Sequence, residues 1–160
     1  MRLTVSIALS IGVFALDQTT KYFAEAIFSE PPRAIAVTPF FNLVFSHNRG
    51  ISFGLLRSEH AYAPYVLVLV ALVIVAGLAL WLWRCDSTIQ KLALSAIIGG
   101  AVSNIVNRLE DGGVTDFLDI YVGAYHWPTF NLADTAIFCG VTALVFASGW
   151  VRTDSHAASH

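Results

Sequence analysis

Apolar positions along the chain fall into four long blocks, separated by polar or turn-rich stretches. The first runs from Leu3 to Leu16 after Arg2 and continues across Asp17 and Lys21, which predicts a helix over about 3–28. Ala24-Glu25-Ala26 resembles the cleavage site of a secretory signal peptide. Asp17 and Lys21 lie between it and the apolar stretch, which favours a retained helix. The second block, Tyr65 to Trp83, has 19 residues without a charge. At ~1.5 Å per residue it spans ~28 Å, close to the ~30 Å of a bilayer core. A helix over about 62–84 is expected there, with Trp81 and Trp83 at the membrane interface. The third and fourth blocks predict helices over about 91–108 and 132–151. Between the first two blocks the pattern changes. Pro31, Pro32 and Pro39 stop helices, and Ile35 to Ser46 is rich in β-branched and aromatic residues. Phe41, Leu43 and Phe45 share one face, so short strands are expected over about 33–58, lying on the membrane surface.

Composition turns these blocks into a class. The chain of 160 residues is 56% hydrophobic and 12% charged, about half the charge content of ~25% typical of soluble domains. Mean hydropathy is +0.67. The fold class expected is an all-α membrane protein with four transmembrane helices and a small β-region. Residues 1–152 form one domain, and the polar tail 153–160 is expected to be disordered. A net charge of −2 argues against nucleic acid as a partner. Cys85 and Cys139 fall at different depths of this layout, which argues against a disulfide. The five histidines do not cluster with the cysteines, so no metal site is expected.

The candidate chemistry lies where acidic and amide side chains interrupt the apolar pattern. Asp116 follows Gly112-Gly113, and Asp134 opens the fourth helix. Two carboxylates brought together can share one proton and activate water. A plainer account also fits: Asn131 is a good N-cap, and an acidic group three residues later suits a helix N-terminus. Asp17 and Lys21 are four apart and share a helix face, as do Asn104 and Arg108. The first pair is either a local ion pair near the interface or a pair facing inward. His47 to Gly54 carries two glycines and Asn48, a pattern that an ordinary turn also explains. Gly99, Gly100, Ala101 and Ser103 permit close helix contact. Four spans put both termini on one side. Basic residues Arg2, Arg84, Lys91 and Arg152 fall there in short segments, against Arg33, Arg49 and Arg57 in a longer loop opposite, which favours cytoplasmic termini. Asp17, Lys21, Asn104, Arg108, Asp116 and Asp134 then gather near the outer face. Six such groups at one depth are costly unless they form one site. A small ion or proton transporter is the reading from another class, but it needs polar groups through the full depth of the bundle, and the second helix has none between Tyr65 and Trp83.

With these residues in order the chain resembles the lipoprotein signal peptidases, the type II signal peptidases of bacteria. Asp17-Gln-Thr-Thr-Lys21, Phe41 to Gly50 with Phe53-Gly54, Gly99 to Arg108, Val114-Thr-Asp116-Phe-Leu and Phe130-Asn131-Leu-Ala133-Asp134 match the family's motifs over nearly the whole chain. The resemblance implies an aspartic endopeptidase that cleaves prolipoproteins before a diacylglyceryl-modified cysteine. Asp116 and Asp134 would be the catalytic pair. Asn48, Gly50, Asn104, Arg108, Asn131 and Ala133 would support the dyad and the substrate backbone, with Asp17 and Lys21 behind them. It implies no cofactor and no metal. The implied partners are diacylglyceryl-modified prolipoproteins and membrane lipids, for a monomer in the bacterial inner membrane with its active site near the periplasmic face.

Two positions depart from the family pattern. Ser103 stands where Gly is usual, which suggests a looser helix contact. Asn107 stands where Asp is usual, just before Arg108, either removing a carboxylate neighbour of Arg108 or changing a surface charge. A catalytically weakened paralogue that binds lipoprotein precursors is the alternative these departures raise.

Overall fold

The computed structural model describes residues 2–29, 34–50 and 63–147. Its elements run α1 (Leu3–Phe28), β1 (Ile35–Thr38), β2 (Phe41–Asn48), α2 (Ala63–Arg84), α3 (Thr88–Asp111), β3 (Val114–Val122), β4 (Tyr125–His126) and α4 (Leu132–Ala147). The expected residues Arg33, Phe53-Gly54, Arg57 and the end of the fourth helix with the tail, 148–160, lie outside the described residues.

Among the described residues, three helices are long and apolar enough to cross a membrane: α1, Pro64–Arg84 of α2, and α3. The described part of α4 is a shorter apolar helix of 16 residues. Helix α1 has the expected bounds. Helix α3 begins earlier and ends later than the expected 91–108, because local polar chemistry sets its limits. The Ser87 hydroxyl accepts from the Gln90 N–H at the start, and Gly112 ends it in the left-handed conformation at φ 71°.

Packing sets the direction of each helix. Ser10 of α1 donates to Ser95 O of α3, and further along Lys21 reaches Asn104, so α1 and α3 point the same way. A Cβ on Gly100 would meet Ala133 O at 2.6 Å, and one on Gly140 would meet Ala93 O at 2.8 Å, so α4 runs opposite to α3. The apolar core joins Leu82 and Cys85 at the end of α2, Ala93, Leu94 and Ile97 of α3, and Leu144 of α4. Cys85 is buried, Cys139 exposed, and both are free thiols.

The chain is mostly helical with a small β-region, as expected, but that region reaches beyond 33–58. Among the described residues the sheet has four antiparallel strands in the order β1-β2-β3-β4, and half of it comes from residues after α3. Val114–Val122 is rich in β-branched and aromatic residues, but its first four positions are all buried, so no alternation marks it as a strand. Leu43 and Phe45 of β2 pack with Ala24, Phe28 and Phe117, which seats the sheet on the end of α1.

Candidate active site

The sheet delivers the first carboxylate. In the antiparallel pairing of β2 with β3, Asn48 lies opposite Val114 and Ser46 opposite Asp116. Asn48 and Asp116 are therefore diagonal neighbours on one face. Asn48 Nδ2 donates to Asp116 Oδ2 at 3.0 Å, and Asn131 Nδ2 donates to Asp116 Oδ1 at 2.7 Å. The Asp116 side chain is 1% exposed. Burial pushes its carboxyl up to about 6; the charge of Asp134 adds to the rise, and the amide donors of Asn48 and Asn131 oppose it. The turn after β2 fixes Asn48, because its Oδ1 accepts from the Gly50 N–H at 3.1 Å. Asn48 thus both bonds its own backbone and reaches Asp116.

Helix α4 delivers the second. Asp134 Oδ1 accepts from Asn104 Nδ2 at 2.8 Å and Oδ2 from the Asn131 N–H at 3.3 Å. Asn131 is fully buried and touches both carboxylates, one through its side chain and one through its backbone. Its amide also lies 3.4 Å from Asn104 Oδ1 and from Thr115 O.

Behind the pair lies a buried charge network. Lys21 Nζ is 2.7 Å from Asp17 Oδ2 and donates to Asn104 Oδ1 at 2.7 Å. Asp17 and Lys21 are 0% and 1% exposed, so of the two accounts of this pair the structure has the inward-facing one. An isolated charge at such a depth is very costly; this pair persists because each member is also hydrogen-bonded. Asp17 Oδ1 accepts from the Ala133 N–H at 2.8 Å, which ties the first turn of α4 to α1. Arg108 donates through Nη1 to Asn104 O at 3.2 Å, and its charge acts on Asp134 and Asp116. Its Nε is buried without a hydrogen-bond partner among the described residues.

The structure thus brings Asp17, Lys21, Asn48, Gly50, Asn104, Arg108, Asp116, Asn131, Ala133 and Asp134 to one end of the bundle. The two departures from the family pattern take different places from those expected. Ser103 is fully buried and its Oγ donates to Asp17 Oδ2 at 2.6 Å. Asn107 is neither at the surface nor an acceptor for Arg108. It is buried with its Nδ2 3.4 Å from Gln18 Oε1 of α1.

Sequence reasoning missed two further ties. The Thr115 hydroxyl donates to Glu25 and so pins β3 beside Asp116 to α1. At the far end of the sheet, Asp119 accepts from Asn42 Nδ2 at 2.8 Å and pairs with His126 Nδ1 at 2.9 Å. Burial pushes the Asp119 carboxyl up, but its bonds from His126 and Asn42 outweigh this and hold it below the usual range. Glu25 lies four residues after Lys21 and eight after Asp17, and that spacing was the available signal. Among the described residues no three His, Cys, Asp or Glu side chains group so as to hold a metal ion.

Apolar helices of membrane length, capped at one end by a carboxylate-and-amide cluster, define a membrane-embedded protein with a buried polar site. The family described as signal peptidase (SPase) II matches residues 9–150, and the chain belongs to that family, which makes it a peptidase. It is 39% identical over 131 residues to the lipoprotein signal peptidase of Beijerinckia indica subsp. indica, covering 81% of this chain and 78% of that one. It is 37% identical to that of Alteromonas mediterranea, covering 94% and 85%, and 31% identical to that of Hydrogenovibrio crunogenus, covering 95% and 89%. A solved structure described as a bacterial membrane enzyme superposes with a TM-score of 0.77 at 25% identity, covering 96% of each chain. Another with the same description superposes at 0.78 and 24%, covering 99% of this chain and 96% of that one.

Proposed function

We propose that this protein is an intramembrane aspartic endopeptidase that removes the signal peptides of prolipoproteins by cleaving before the diacylglyceryl-modified cysteine. Relatives named lipoprotein signal peptidase support the substrate class. The observation that carries the mechanism is Asn131, whose amide and backbone N–H hold Asp116 and Asp134 in one network. One carboxylate takes a proton from water as that water attacks the scissile carbonyl. The other, protonated, donates to the carbonyl oxygen; as the C–N bond then breaks, the carboxyl that took the water proton gives it to the leaving amine, and its partner recovers a proton from a hydroxyl of the tetrahedral intermediate. Asn48 and Asn104 each fix one carboxylate, and Gly50 fixes Asn48. The N–H groups of Arg108 not used by Asn104 O are suited to hold the substrate backbone.

In this reading residues 1–152 are one membrane domain, and α4 is the fourth span. Both termini are cytoplasmic, and the sheet lies on the outer leaflet of the inner membrane. The protein acts as a monomer among membrane lipids, needs no metal or cofactor, and has its site near the periplasmic face. The decisive experiment is cleavage of a diacylglyceryl-modified lipobox peptide by the purified protein in detergent. Cleavage before the modified cysteine is expected. Binding without cleavage would replace the peptidase by a precursor-binding paralogue. A reporter fused after Arg152 is expected to remain cytoplasmic, and its export would overturn the orientation.

A further inference from the structure

We propose that Ser103 is a positioning residue of this peptidase, acting through Asp17 on the placement of Asp134; the inference rests on the reading above. The Asp17 carboxylate is fully buried and takes three donors from three helices. Ser103 Oγ of α3 and Lys21 Nζ of α1 both meet Oδ2, at 2.6 and 2.7 Å, while the Ala133 N–H of α4 meets Oδ1 at 2.8 Å. Two donors on one oxygen fix the plane of the carboxylate, so the other oxygen aims at Ala133, the residue before Asp134. Without the hydroxyl, Oδ2 is held only by Lys21, from one turn further along its own helix. Nothing on α3 then sets its direction.

A second route leads to the same place. Lys21 also donates to Asn104, and Asn104 donates to Asp134. Ser103 shares the charge of Asp17 with Lys21, which leaves the ammonium placed between Asp17 and Asn104 rather than drawn onto Asp17 alone. In a buried site, where water does not compete, each such donor carries more weight than at a surface.

The seam between α1 and α3 explains why a hydroxyl fits here. At Gly99 the helices are so close that a Cβ would meet Ser10 O at 2.5 Å. One turn on, position 103 accommodates a side chain, and another turn on stands Asn107. Asn107 Nδ2 lies 3.4 Å from Gln18 Oε1, and Gln18 Nε2 lies 3.4 Å from Ser103 O. The two positions that depart from the family pattern therefore contact consecutive residues of α1, Asp17 and Gln18, as parts of one polar seam.

The test uses the full chain in detergent with the diacylglyceryl-modified lipobox peptide, measuring kcat and KM separately and the melting temperature of each variant. Ser103→Ala and Ser103→Gly are expected to lower kcat by roughly threefold to thirtyfold with KM within about twofold, the pattern of a misplaced catalytic group. Ser103→Thr keeps the hydroxyl and is expected to stay within about threefold of wild type. In an Asp17→Asn background, adding Ser103→Ala is expected to cost less than about twofold, because its partner is already altered. The proposal is overturned if Ala and Gly variants match wild type in kcat, or if Ser103→Ala costs the same factor in both backgrounds. If Ser103→Ala does not fold, the Gly and Thr variants decide: a slow Gly variant beside a fast Thr variant supports the proposal, and equal rates overturn it. A wild-type protein that leaves the peptide uncut sinks the peptidase reading, and this inference with it.

Discussion

Asn131 and Asp134 bond each other in both directions. Asn131 Oδ1 accepts from the Asp134 N–H at 2.9 Å, and Asp134 Oδ2 accepts from the Asn131 N–H at 3.3 Å. This is the reciprocal pattern of a helix cap. From the sequence, capping and catalysis compete as explanations of these two residues. In the fold they are compatible, because the cap uses one oxygen of Asp134 and leaves the other to Asn104. The cap also presents the side chain of Asn131 to Asp116. The geometry that ends the loop before α4 is the geometry that joins the two carboxylates.

Replacing either member of the pair separates their role from that of other acidic residues. Asp116→Asn and Asp134→Asn are each expected to lower the cleavage rate by on the order of a thousandfold or more while the protein stays folded. Asp111, exposed at the end of α3, is the control, and Asp111→Asn is expected to keep most activity. Asp119→Asn is expected to keep most activity per folded molecule and to lose about 1 kcal/mol of stability, since it weakens part-buried bonds to Asn42 and His126. Initial rates and thermal melts on the same preparations check all four; near wild-type rates in either dyad variant would refute the assignment.

The pH dependence of kcat/KM carries the signature of Asp116. Its carboxyl is raised to about 6, first by burial. Both of its oxygens accept amide donors, at 3.0 and 2.7 Å, a pattern that suits the ionised form and the role of base. As pH falls through about 6 that carboxylate takes up a proton and its capacity as base is lost. The rate is therefore expected to fall on the acid side with an apparent pKa near 6, which belongs to the coupled pair. A rate that instead falls as pH rises through that value would give the role of base to Asp134.

Close contact between α3 and α4 makes Gly100 sensitive. A Cβ there would meet Ala133 O at 2.6 Å, in the turn that holds Asp134. Overpacking of this kind costs about 1–3 kcal/mol, and displacement of the carboxylate is expected to reduce kcat by roughly tenfold to a hundredfold in Gly100→Ala. Gly12 and Gly77 have nothing within 4 Å of an added Cβ, and their Ala variants are expected to act as wild type. Equal rates for all three variants would show that the helix contact does not set the site.

Asn107 gives a small change. It faces Gln18 rather than Arg108, so a carboxylate there would not restrain Arg108. Asn107→Asp is expected to raise the cleavage rate by less than ~10-fold, or under ~1.4 kcal/mol in barrier. A gain of a hundredfold, measured side by side on one lipopeptide, would mean that Asn107 disables the wild-type site.

Helix α1 was legible to the residue, because its apolar run, the paired Asp17 and Lys21, and the proline stop at Pro31 agree on its length. Residues Asp116, Asp134 and their amide partners were legible because polar groups in an apolar chain stand out. Strand β3 was not, because burial on both faces removes the alternation that signals a strand. The partners of Ser103 and Asn107 were not legible either. Both depend on how α1 and α3 are rotated against each other, and neither helix shows that rotation in its own sequence.

The split sheet has a consequence for how the protein is made. Strand β2 pairs with β3, and α2 and α3 lie between them in the chain. A chain synthesised from its N-terminus holds one edge of β2 unpaired until both helices have been made. Asp116 gains Asn48 only when β3 docks, and it gains Asn131 only with the start of α4. Asp134 and the Ala133 N–H that engages Asp17 arrive with that last helix. A nascent chain that stops short of α4 therefore lacks both Asp134 and the Asn131 bond to Asp116, and the network that joins the two carboxylates closes only with that helix.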